Sequence, residues 1–188
     1  MIEFGPVSTF RFMSTHYVIF VDLDGVLADF DRAVEELTGL PPSRQSPGAM
    51  WPRLAGARDF YATIPWMPDG PELWERVRPL DPVILTGLPR GNWAKPQKLE
   101  WCRRELGPTV PVIACMSREK AEKAREWIEE HRDDVRASRA RPAQATDTVP
   151  LLIDDRASTR DPWVAAGGVF IHHRSAAQSI RELEKLGL

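Results

Sequence analysis

The sequence has few cysteines, no excess of charge of either sign and no long apolar run. Of its 188 residues only two are cysteines, Cys102 and Cys115, which excludes a disulfide framework, and no histidine or further cysteine joins them at zinc-site spacing. The 25 lysines and arginines and 27 aspartates and glutamates give a net charge of −2, without the basic excess of proteins that bind nucleic-acid polymers or anionic membranes. No stretch reaches the roughly 18–20 apolar residues of a membrane span.

The beginning of the sequence also lacks the features of a targeting signal. Residues 1–16 lack the basic start, the apolar run and the small-residue cleavage site of a secretory signal peptide. We expect residues 1–15 to form a poorly ordered leader, with Met13 as an alternative translation start. Together with the small number of cysteines, these features predict a cytoplasmic protein that neither spans nor binds a membrane.

Proline and tryptophan, in contrast, are abundant. The 17 prolines break the chain into short elements, and the seven tryptophans suggest an aromatic pocket or interface in addition to core packing. The rest of the composition, with 43% hydrophobic and 28% charged residues, is that of an ordinary globular domain. A chain of this length fits one domain with a small insertion.

Five short apolar runs predict the buried strands of a parallel sheet. Each run is continuous and rich in β-branched or aromatic residues, the pattern of strands covered on both faces. Helical patterns separate the runs, several with a proline near the start or a glycine at the end. The alternation predicts an α/β fold: a three-layer, Rossmann-like parallel sheet of about five strands with right-handed crossovers. The predicted strands are residues 17–22, 83–86, 110–114, 151–154 and 169–172.

One segment interrupts this alternation. Residues 30–68 separate the first strand from the next unit by far more than a usual connection, and they contain clustered prolines and aromatic residues. We interpret them as a small helical cap inserted into a catalytic core formed by residues 16–29 and 69–188. Residues 132–150 are polar and aperiodic, and we interpret them as a solvated helix end followed by a loop.

Two pairs of aspartates lie at predicted strand ends. Asp22 and Asp24 follow the first strand, next to a glycine that permits a tight turn, and Asp154 and Asp155 end the fourth. Because ligands of open parallel sheets bind beyond the carboxyl ends of the strands, we expect the pairs to share one edge. Crowded carboxylates need a cation, and Mg²⁺ suits such an oxygen-rich site. A lone aspartate here is usually a helix cap or turn residue, but two pairs favour a metal site.

Two other strand ends offer groups that can bind a phosphate. Thr86 and Gly87 supply a hydroxyl and backbone N–H groups after the second strand. Lys120 lies near the start of a predicted helix after the third strand and supplies a positive charge. Each of these features alone is common in turns or on surfaces. Their common position at the edge that carries the aspartates favours a phosphate site.

The aspartate pairs, the threonine and the lysine, in their order along the chain, resemble the motifs of the haloacid dehalogenase-like phosphohydrolases. The chain is most similar to the 5′(3′)-deoxyribonucleotidase family with its bacterial and phage relatives. The resemblance runs from about residue 17 to the end of the sheet and is weakest in the cap. Residues 121–150 form a longer connection than the family pattern has, so Lys123 is the alternative to Lys120. The resemblance rests on DLDGVL at residues 22–27, Thr86, Lys120 and LLIDDR at residues 151–156, supported by FYATIPWMPDGPELW at residues 60–74.

The resemblance implies phosphoryl transfer in two steps. Asp22 would attack the phosphorus and form an aspartyl-phosphate, and Asp24 would protonate the leaving oxygen and then activate water. Mg²⁺ would be held by Asp22, the main-chain carbonyl of Asp24, and the pair of Asp154 and Asp155. The phosphate-binding residues would be Thr86, Gly87 and Lys120.

Substrate choice is expected to lie in the cap. In the nucleotidases that this chain resembles, an aromatic side chain at the position of Phe30 stacks on the base or covers the pocket. Other cap aromatics are candidates for the same wall, although each can equally belong to the packed interior of the cap. These candidates are Trp51, Phe60, Tyr61 and Trp66.

The sequence therefore predicts a Mg²⁺-dependent phosphomonoester hydrolase acting on a small molecule, a nucleoside monophosphate, and it indicates no particular oligomeric state. Two alternatives stay open. One is a phosphatase for another small ester, such as a sugar phosphate or phosphoglycolate. The other is a non-catalytic binding protein that retains the fold.

Overall fold

The computed structural model describes residues 14–138 and 145–188. Most of the predicted leader, with the alternative start at Met13, lies outside the described residues. The first strand begins at Ser14, so Ser14 and Thr15 belong to the sheet and not to a leader.

Five parallel strands form a sheet in the order β3-β2-β1-β4-β5, which confirms the predicted α/β fold. The central strand β1 (Ser14–Val21) pairs with β2 (Val83–Gly87) on one side and with β4 (Ala145–Asp154) on the other. The outer strands are β3 (Val112–Cys115) and β5 (Val169–His172). Because the strand order reverses at β1, the carboxyl ends of β1, β2 and β4 flank the point at which such sheets bind ligands.

The central strands are buried on both faces, as their continuous apolar runs indicate. Phe20 and Val21 in β1 and Leu152 and Ile153 in β4 have no exposed surface. Successive side chains point to opposite faces, so Val21 and Ile153 belong to one core while Phe20 and Leu152 belong to the other. Each such side chain contributes about 1.5–3 kcal/mol to the free energy of unfolding, and this burial fixes the register of β1 against β4.

The segment predicted as a cap is helical and packs directly on the core. It contains α1 (Phe30–Thr38) and α2 (Pro47–Gly56), and the side chains of Asp29 and Ser46 cap their first turns. Buried residues of both helices join the apolar core on one face of the sheet, so cap and core share one interior. These residues are Val34, Met50 and Leu54.

Helices on both faces of the sheet complete the three layers. The helices that follow the cap are α3 (Gly70–Val77), α4 (Ala94–Glu105), α5 (Lys120–Glu130), α6 (Arg132–Ala137), α7 (Arg160–Ala165) and α8 (Ala176–Lys185). Apolar residues of α3, α4 and α8 share a core with Val21, whereas those of α5, α6 and α7 share a core with Phe20. In the described part of the chain, no helix has the length and apolar character needed to cross a membrane.

β4 begins earlier than the sequence pattern indicates, so the interpretation of residues 132–150 as a helix end and loop is wrong for residues 145–150. Pro150 lies within β4 opposite Val18 of β1, and the pairing of β4 with β5 starts only at Leu151. Because proline lacks an N–H, it fits the part of a strand that precedes the pairing with the second neighbour.

Candidate active site

Carboxylates from two neighbouring strands meet at the carboxyl edge of the sheet. Asp22 follows β1 directly, and its backbone N–H donates to the Ile153 carbonyl of β4 at 2.9 Å, which ties the two strand ends together. Ligand oxygens of Asp22, Asp154 and Asp155 lie within 4.8 Å of one another. These three residues, called the aspartate cluster below, could therefore hold one metal ion.

Lys120 is buried beside the aspartate cluster. Its Nζ lies 2.9 Å from Asp22 Oδ2 and 2.7 Å from Asp154 Oδ2. Burial alone would disfavour the charged ammonium, but the two carboxylates outweigh it, and the pKa of Lys120 is raised. Lys123, the alternative from the sequence, is instead partly exposed and pairs with Glu126 at 2.6 Å. Of these two candidates, Lys120 is thus the lysine that contacts the aspartate cluster.

Asp155 carries an uncompensated carboxyl. Its Oδ1 is buried and has no hydrogen-bond partner among the described residues. Burial raises the pKa of Asp155 to about 7, and the negative charges of Asp22 and Asp154 add to this effect. Asp154 differs, because its Oδ1 accepts the Arg156 N–H at 2.8 Å and its Oδ2 accepts from Lys120.

The aspartate cluster fits a divalent cation. Three carboxylates face one ammonium group, which leaves an excess of two negative charges in a partly buried setting. The donors are all carboxylate oxygens, the ligands of hard cations. The unpartnered oxygen of Asp155 is a free coordination position of the same kind.

The turn after β1 depends on Gly25. This residue has a φ of +76°, in the left-handed region that side chains rarely adopt, and its N–H donates to the Ala28 carbonyl at 2.8 Å. A Cβ atom at this position would lie 2.5 Å from Asp155 Oδ2. Glycine is required here both by the backbone conformation and by the closeness of the aspartate cluster.

Asp24 pairs with a lysine that was not predicted from the sequence. Lys98 of α4 has no exposed surface, and its Nζ donates to Asp24 Oδ2 at 2.6 Å and to Thr86 Oγ1 at 2.9 Å. Burial raises the pKa of the Asp24 carboxyl, Lys98 lowers it and Asp22 raises it, and the net shift is upward. A carboxyl with a raised pKa, held by a fixed donor, is suited to proton transfer.

The sequence does contain a signal for Lys98. Ala94, Lys98, Trp101 and Cys102 lie at helical spacing on one side of α4, and all four are buried. A lysine in the middle of an otherwise apolar stripe needs a buried partner. The partner, Asp24, lies 74 residues earlier in the chain, and only the fold brings the two together.

A cavity of about 340 Å³ lies between the aspartates and the cap. Phe30, Trp51 and Tyr61 line its cap side. The Phe30 ring centroid lies 5.9 Å from that of Trp51 and 6.1 Å from that of Tyr61, and the ring planes of Phe30 and Tyr61 are 21° apart. The ammonium of Lys98 lies 4.4 Å from the Tyr61 ring centroid, which links the aromatic wall to the Asp24 contact.

The other two aromatic candidates do not line the cavity. Phe60 is buried and packs edge-on against Phe30 and Tyr61, with centroids 5.9 and 5.1 Å away. Trp66 packs against Trp101 at 5.1 Å, and its indole N–H donates to Glu105 at 2.8 Å. Phe60 therefore supports the wall by packing, whereas Trp66 packs against α4 and has no ring contact with the wall in the described part of the chain.

The two predicted phosphate-binding residues of β2 differ in position. Gly87 lines the cavity, and a Cβ there would lie 2.6 Å from Ser117 Oγ, so a larger residue would displace the Ser117 hydroxyl. Thr86 has no exposed surface, and its hydroxyl accepts a hydrogen bond from Lys98. The Thr86 hydroxyl can donate its own proton, whereas Gly87 supplies backbone groups at the cavity surface.

A histidine from β5 supports the acidic pair. His172 Nε2 donates to the Asp155 carbonyl at 2.9 Å, which fixes the backbone of Asp155. His173 is buried behind it, and its Nδ1 lies 2.9 Å from Ser179 Oγ. Both histidines therefore hold structure around the aspartate cluster.

A scan against protein-family models found no matching model, and a search of curated proteins found no matching relative. The geometry and chemistry of the site are therefore the basis on which a function can be assigned.

Proposed function

We propose that this protein is a Mg²⁺-dependent phosphomonoester hydrolase that acts through an aspartyl-phosphate on Asp22. The observation that carries the proposal is the aspartate cluster at the carboxyl edge of the sheet with Lys120 buried beside it. A nucleophilic carboxylate repels a phosphate dianion unless positive charge bridges the two. A lysine and the ligands of a divalent cation at the same point meet this requirement.

The aspartate cluster would hold the Mg²⁺ through Asp22, Asp154 and Asp155. Bound there, the ion would neutralise charge on the phosphoryl oxygens. Lys120 would add a second positive charge to the transferring group, and Gly87 and the Thr86 hydroxyl would offer hydrogen-bond donors. Every role in this arrangement falls on a residue at the same edge of the sheet.

Asp22 is the nucleophile of the proposed reaction. Its Oδ1 accepts the Leu23 N–H at 2.8 Å and its Oδ2 lies 2.9 Å from Lys120 Nζ, contacts that fix the orientation of the carboxylate. In the first step a carboxylate oxygen of Asp22 bonds to phosphorus while the bond between phosphorus and the ester oxygen breaks. The product of this step is an aspartyl-phosphate.

Asp24 moves the protons. It gives a proton to the leaving ester oxygen and, in the second step, takes one from the water that attacks phosphorus and releases Asp22. The products are an alcohol and inorganic phosphate. Lys98 holds Asp24 Oδ2, while Asp24 Oδ1 is buried and has no hydrogen-bond partner within the described residues. The contact with Lys98 thus fixes the orientation of the carboxyl that would move the proton.

The aromatic wall favours a nucleoside monophosphate as substrate. Phe30, Trp51 and Tyr61 offer flat apolar surfaces beside the reaction centre. Stacking of a base on such a surface contributes about 1–3 kcal/mol to binding and tolerates different bases. A sugar phosphate or phosphoglycolate would use the same aspartates without needing the wall.

Phosphate release from a panel of monoesters tests this proposal. The full chain is assayed with nucleoside monophosphates, sugar phosphates and phosphoglycolate, each with Mg²⁺ and with EDTA. We expect release with Mg²⁺ alone and a higher kcat/KM for the nucleotides. Equal kcat/KM for sugar phosphates would support the broader phosphatase, and no release from any ester would support a non-catalytic binding protein.

Matched variants separate the site from the rest of the surface. Asp22→Asn should abolish release, and Asp155→Asn should raise the Mg²⁺ concentration needed for half-maximal rate. Asp161→Asn removes an exposed carboxylate of α7 and should leave both quantities unchanged. Loss of rate in all three variants alike would contradict the assignment.

We also infer a cytoplasmic location. Cys102 and Cys115 are both buried free thiols. Burial raises the pKa of these thiols, to about 12 for Cys102 and about 11 for Cys115, which keeps them protonated. Unpaired structural thiols fit a reducing compartment.

A further inference from the structure

A second cleft adjoins the cavity at the aspartates. It has a volume of about 770 Å³ and lies between α2 of the cap and the segments that follow β2 and β3. We call it the outer cleft. The two spaces share five lining residues and therefore adjoin, which would allow a ligand with its reacting phosphate at the aspartate cluster to extend outward. The residues that line both are Trp51, Leu88, Pro89, Ser117 and Arg156.

The charge changes sign between the two spaces. The cavity is lined by aspartates of the site and by Asp31. The outer cleft is lined by Arg90, Arg118 and Arg156, and within residues 14–138 and 145–188 no carboxylate lines it. Because the whole chain has a net charge of −2, three guanidinium groups without an intervening carboxylate depart from its average surface. This distribution favours a ligand with a second negative group.

The arginines of the outer cleft can reorient toward a ligand. Neither Arg90 nor Arg156 forms an ion pair in the described part of the chain. Arg118 forms one with Glu119, at a distance of 3.5 Å, and 78% of the Arg118 side chain is exposed. An exposed pair of this kind contributes about 0–1 kcal/mol and is easily exchanged. Arg156 is held at the boundary with the cavity, where its Nη1 donates to Ser117 Oγ at 3.2 Å.

Aromatic surfaces connect the two spaces. Trp51 lines both of them, and Trp93 lines the outer cleft. The Trp93 ring centroid lies 5.3 Å from that of Tyr61, so the aromatic wall of the cavity continues into the outer cleft. A flat group can lie along this wall while a charged group at one end reaches the aspartate cluster and a charged group at the other end reaches the arginines of the outer cleft.

We infer that the substrate carries a second phosphate, which binds the guanidinium groups of Arg90, Arg118 and Arg156 while its base lies along Trp51 and Trp93. The inference rests on the proposed function, because it assigns the far end of the same substrate. Guanidinium groups bind phosphate through paired charge-assisted hydrogen bonds, so this chemistry suits their position. The substrate class is a nucleotide monoester with a further phosphate, either a nucleoside bisphosphate or the phosphorylated end of a short oligonucleotide.

The test compares three substrates with the same reacting group. These are adenosine 5′-monophosphate, adenosine 3′,5′-bisphosphate and a 5′-phosphorylated adenosine dinucleotide, assayed with the full chain and Mg²⁺. We expect kcat/KM to be about tenfold or more higher for at least one of the two substrates with a second phosphate. A preference for the bisphosphate identifies the free nucleotide, and a preference for the dinucleotide identifies the oligonucleotide end. Equal values for all three substrates would overturn the inference while leaving the proposed function intact.

Arginine variants locate the effect. The double variant Arg90→Gln with Arg118→Gln should lower the ratio of kcat/KM between the preferred substrate and the monophosphate to about one, and higher salt should lower the wild-type ratio as well. Arg181→Gln, which removes an exposed arginine of α8 outside both spaces, should leave the ratio unchanged. An unchanged ratio in the double variant would overturn the inference.

A binding measurement separates failure of the inference from failure of the proposed function. The Asp22→Asn variant is titrated with the same three compounds, and tryptophan fluorescence reports binding. If no ester is hydrolysed by the wild type, the proposed function fails, but tighter binding of compounds with a second phosphate would still support the role of the outer cleft. Equal affinity for all three would overturn that role.

Discussion

The contact between Lys98 and Asp24 joins a fully buried ammonium to a carboxyl side chain that is 26% exposed, and we propose a chemical role for it. We predict that Lys98→Met, which keeps the approximate volume, lowers kcat about a hundredfold or more, because proton transfer by a positioned group contributes about that much. Lys98 lowers the pKa of Asp24, so its removal should raise that pKa further. The acidic limb of the pH profile of kcat should therefore move to higher pH.

The matched control for this variant is Lys95→Met. Lys95 lies on the same helix but is exposed, and its replacement should leave kcat and its pH profile unchanged. Circular dichroism of both variants checks that the fold persists. A folded Lys98→Met protein with wild-type kcat and pH profile would show that Asp24 works without Lys98.

The raised pKa of Asp155 should make the free energy of unfolding, measured in EDTA, depend on pH. Its pKa of about 7 lies above the ordinary value of 3.8, so between these two values the unfolded chain has lost a proton that the folded protein keeps. The stability that this group contributes is therefore present below about pH 4 and is lost as the pH rises to about 7. The free energy of unfolding of Asp155→Asn, relative to that of the wild type, should therefore rise by on the order of 1 kcal/mol from pH 5 to pH 8.

Urea denaturation at the two pH values measures this difference in the free energy of unfolding. The exposed Asp161→Asn variant should show a difference from wild type that does not change with pH. Addition of Mg²⁺ should stabilise the wild type more than Asp155→Asn, since the variant lacks one ligand. A pH-independent difference for Asp155→Asn would contradict an uncompensated carboxyl at this position.

The residues of the site were predictable to the extent that strand ends could be located. Asp22, Asp154 and Asp155 follow apolar runs, and the parallel topology dictates that such ends share an edge. Lys98 was not found, because its partner is distant in sequence and its role depends on the angle at which α4 crosses the sheet. Trp51 lines the cavity and Trp66 does not, and this difference likewise depends on packing that the sequence pattern does not show.

At the scale of elements, the turn after β1 joins the sheet to the cap and shapes the aspartate cluster. We predict that Gly25→Ala lowers the stability by about 1–2 kcal/mol because of the positive φ, and also abolishes Mg²⁺-dependent activity because the Cβ would displace the Asp155 carboxylate. Thermal unfolding and phosphate release measure the two effects.

Gly39→Ala is the control that separates the two causes. Gly39 ends α1 with a φ of +79°, but a Cβ there would meet nothing within 4 Å. Its replacement should therefore reduce stability to a similar degree while activity persists. Equal activity of the two variants would show that the close approach to Asp155 is unimportant.

The cap carries the aromatic wall, and Trp51 of α2 is the member that lines both the cavity and the outer cleft. We predict that Trp51→Ala lowers the ratio of kcat/KM between a nucleoside monophosphate and glycerol phosphate about tenfold, because a stacking surface is lost while the aspartates are untouched. Leu37→Ala, which removes an exposed side chain of α1 outside the cavity, should not change the ratio. A ratio that Trp51→Ala also leaves unchanged would argue against stacking on this wall.

Strands were easier to derive from the sequence than the connections between them. Apolar runs located β2 and β5 to within one residue and β1 without its first three residues, because strands buried on both faces need continuous apolar sequence. The first half of β4 was not predicted, because Pro150 and polar residues are unfavourable in a strand with two neighbours. They are acceptable here because β5 begins to pair with β4 only at Leu151. Local sequence does not encode that stagger.

At the scale of the whole molecule, the net charge of −2 conceals a division of charge. Carboxylates concentrate at the carboxyl edge of the sheet around two buried lysines, and arginines line the space just outside. An acidic interior that accepts a cation, next to a basic cleft, is the distribution expected for an enzyme that places a multiply charged anion on a metal.

A burst of nitrophenolate from p-nitrophenyl phosphate in the Asp24→Asn variant would show directly whether Asp22 forms an aspartyl-phosphate. Nitrophenolate leaves without a proton donor, so the first step should proceed, whereas the second step lacks its base and should be slow. With Mg²⁺ we predict a burst approaching one equivalent per protein chain, no burst with EDTA, and none in the double variant Asp22→Asn with Asp24→Asn. Release from the double variant at the rate of the single variant would contradict Asp22 as the nucleophile.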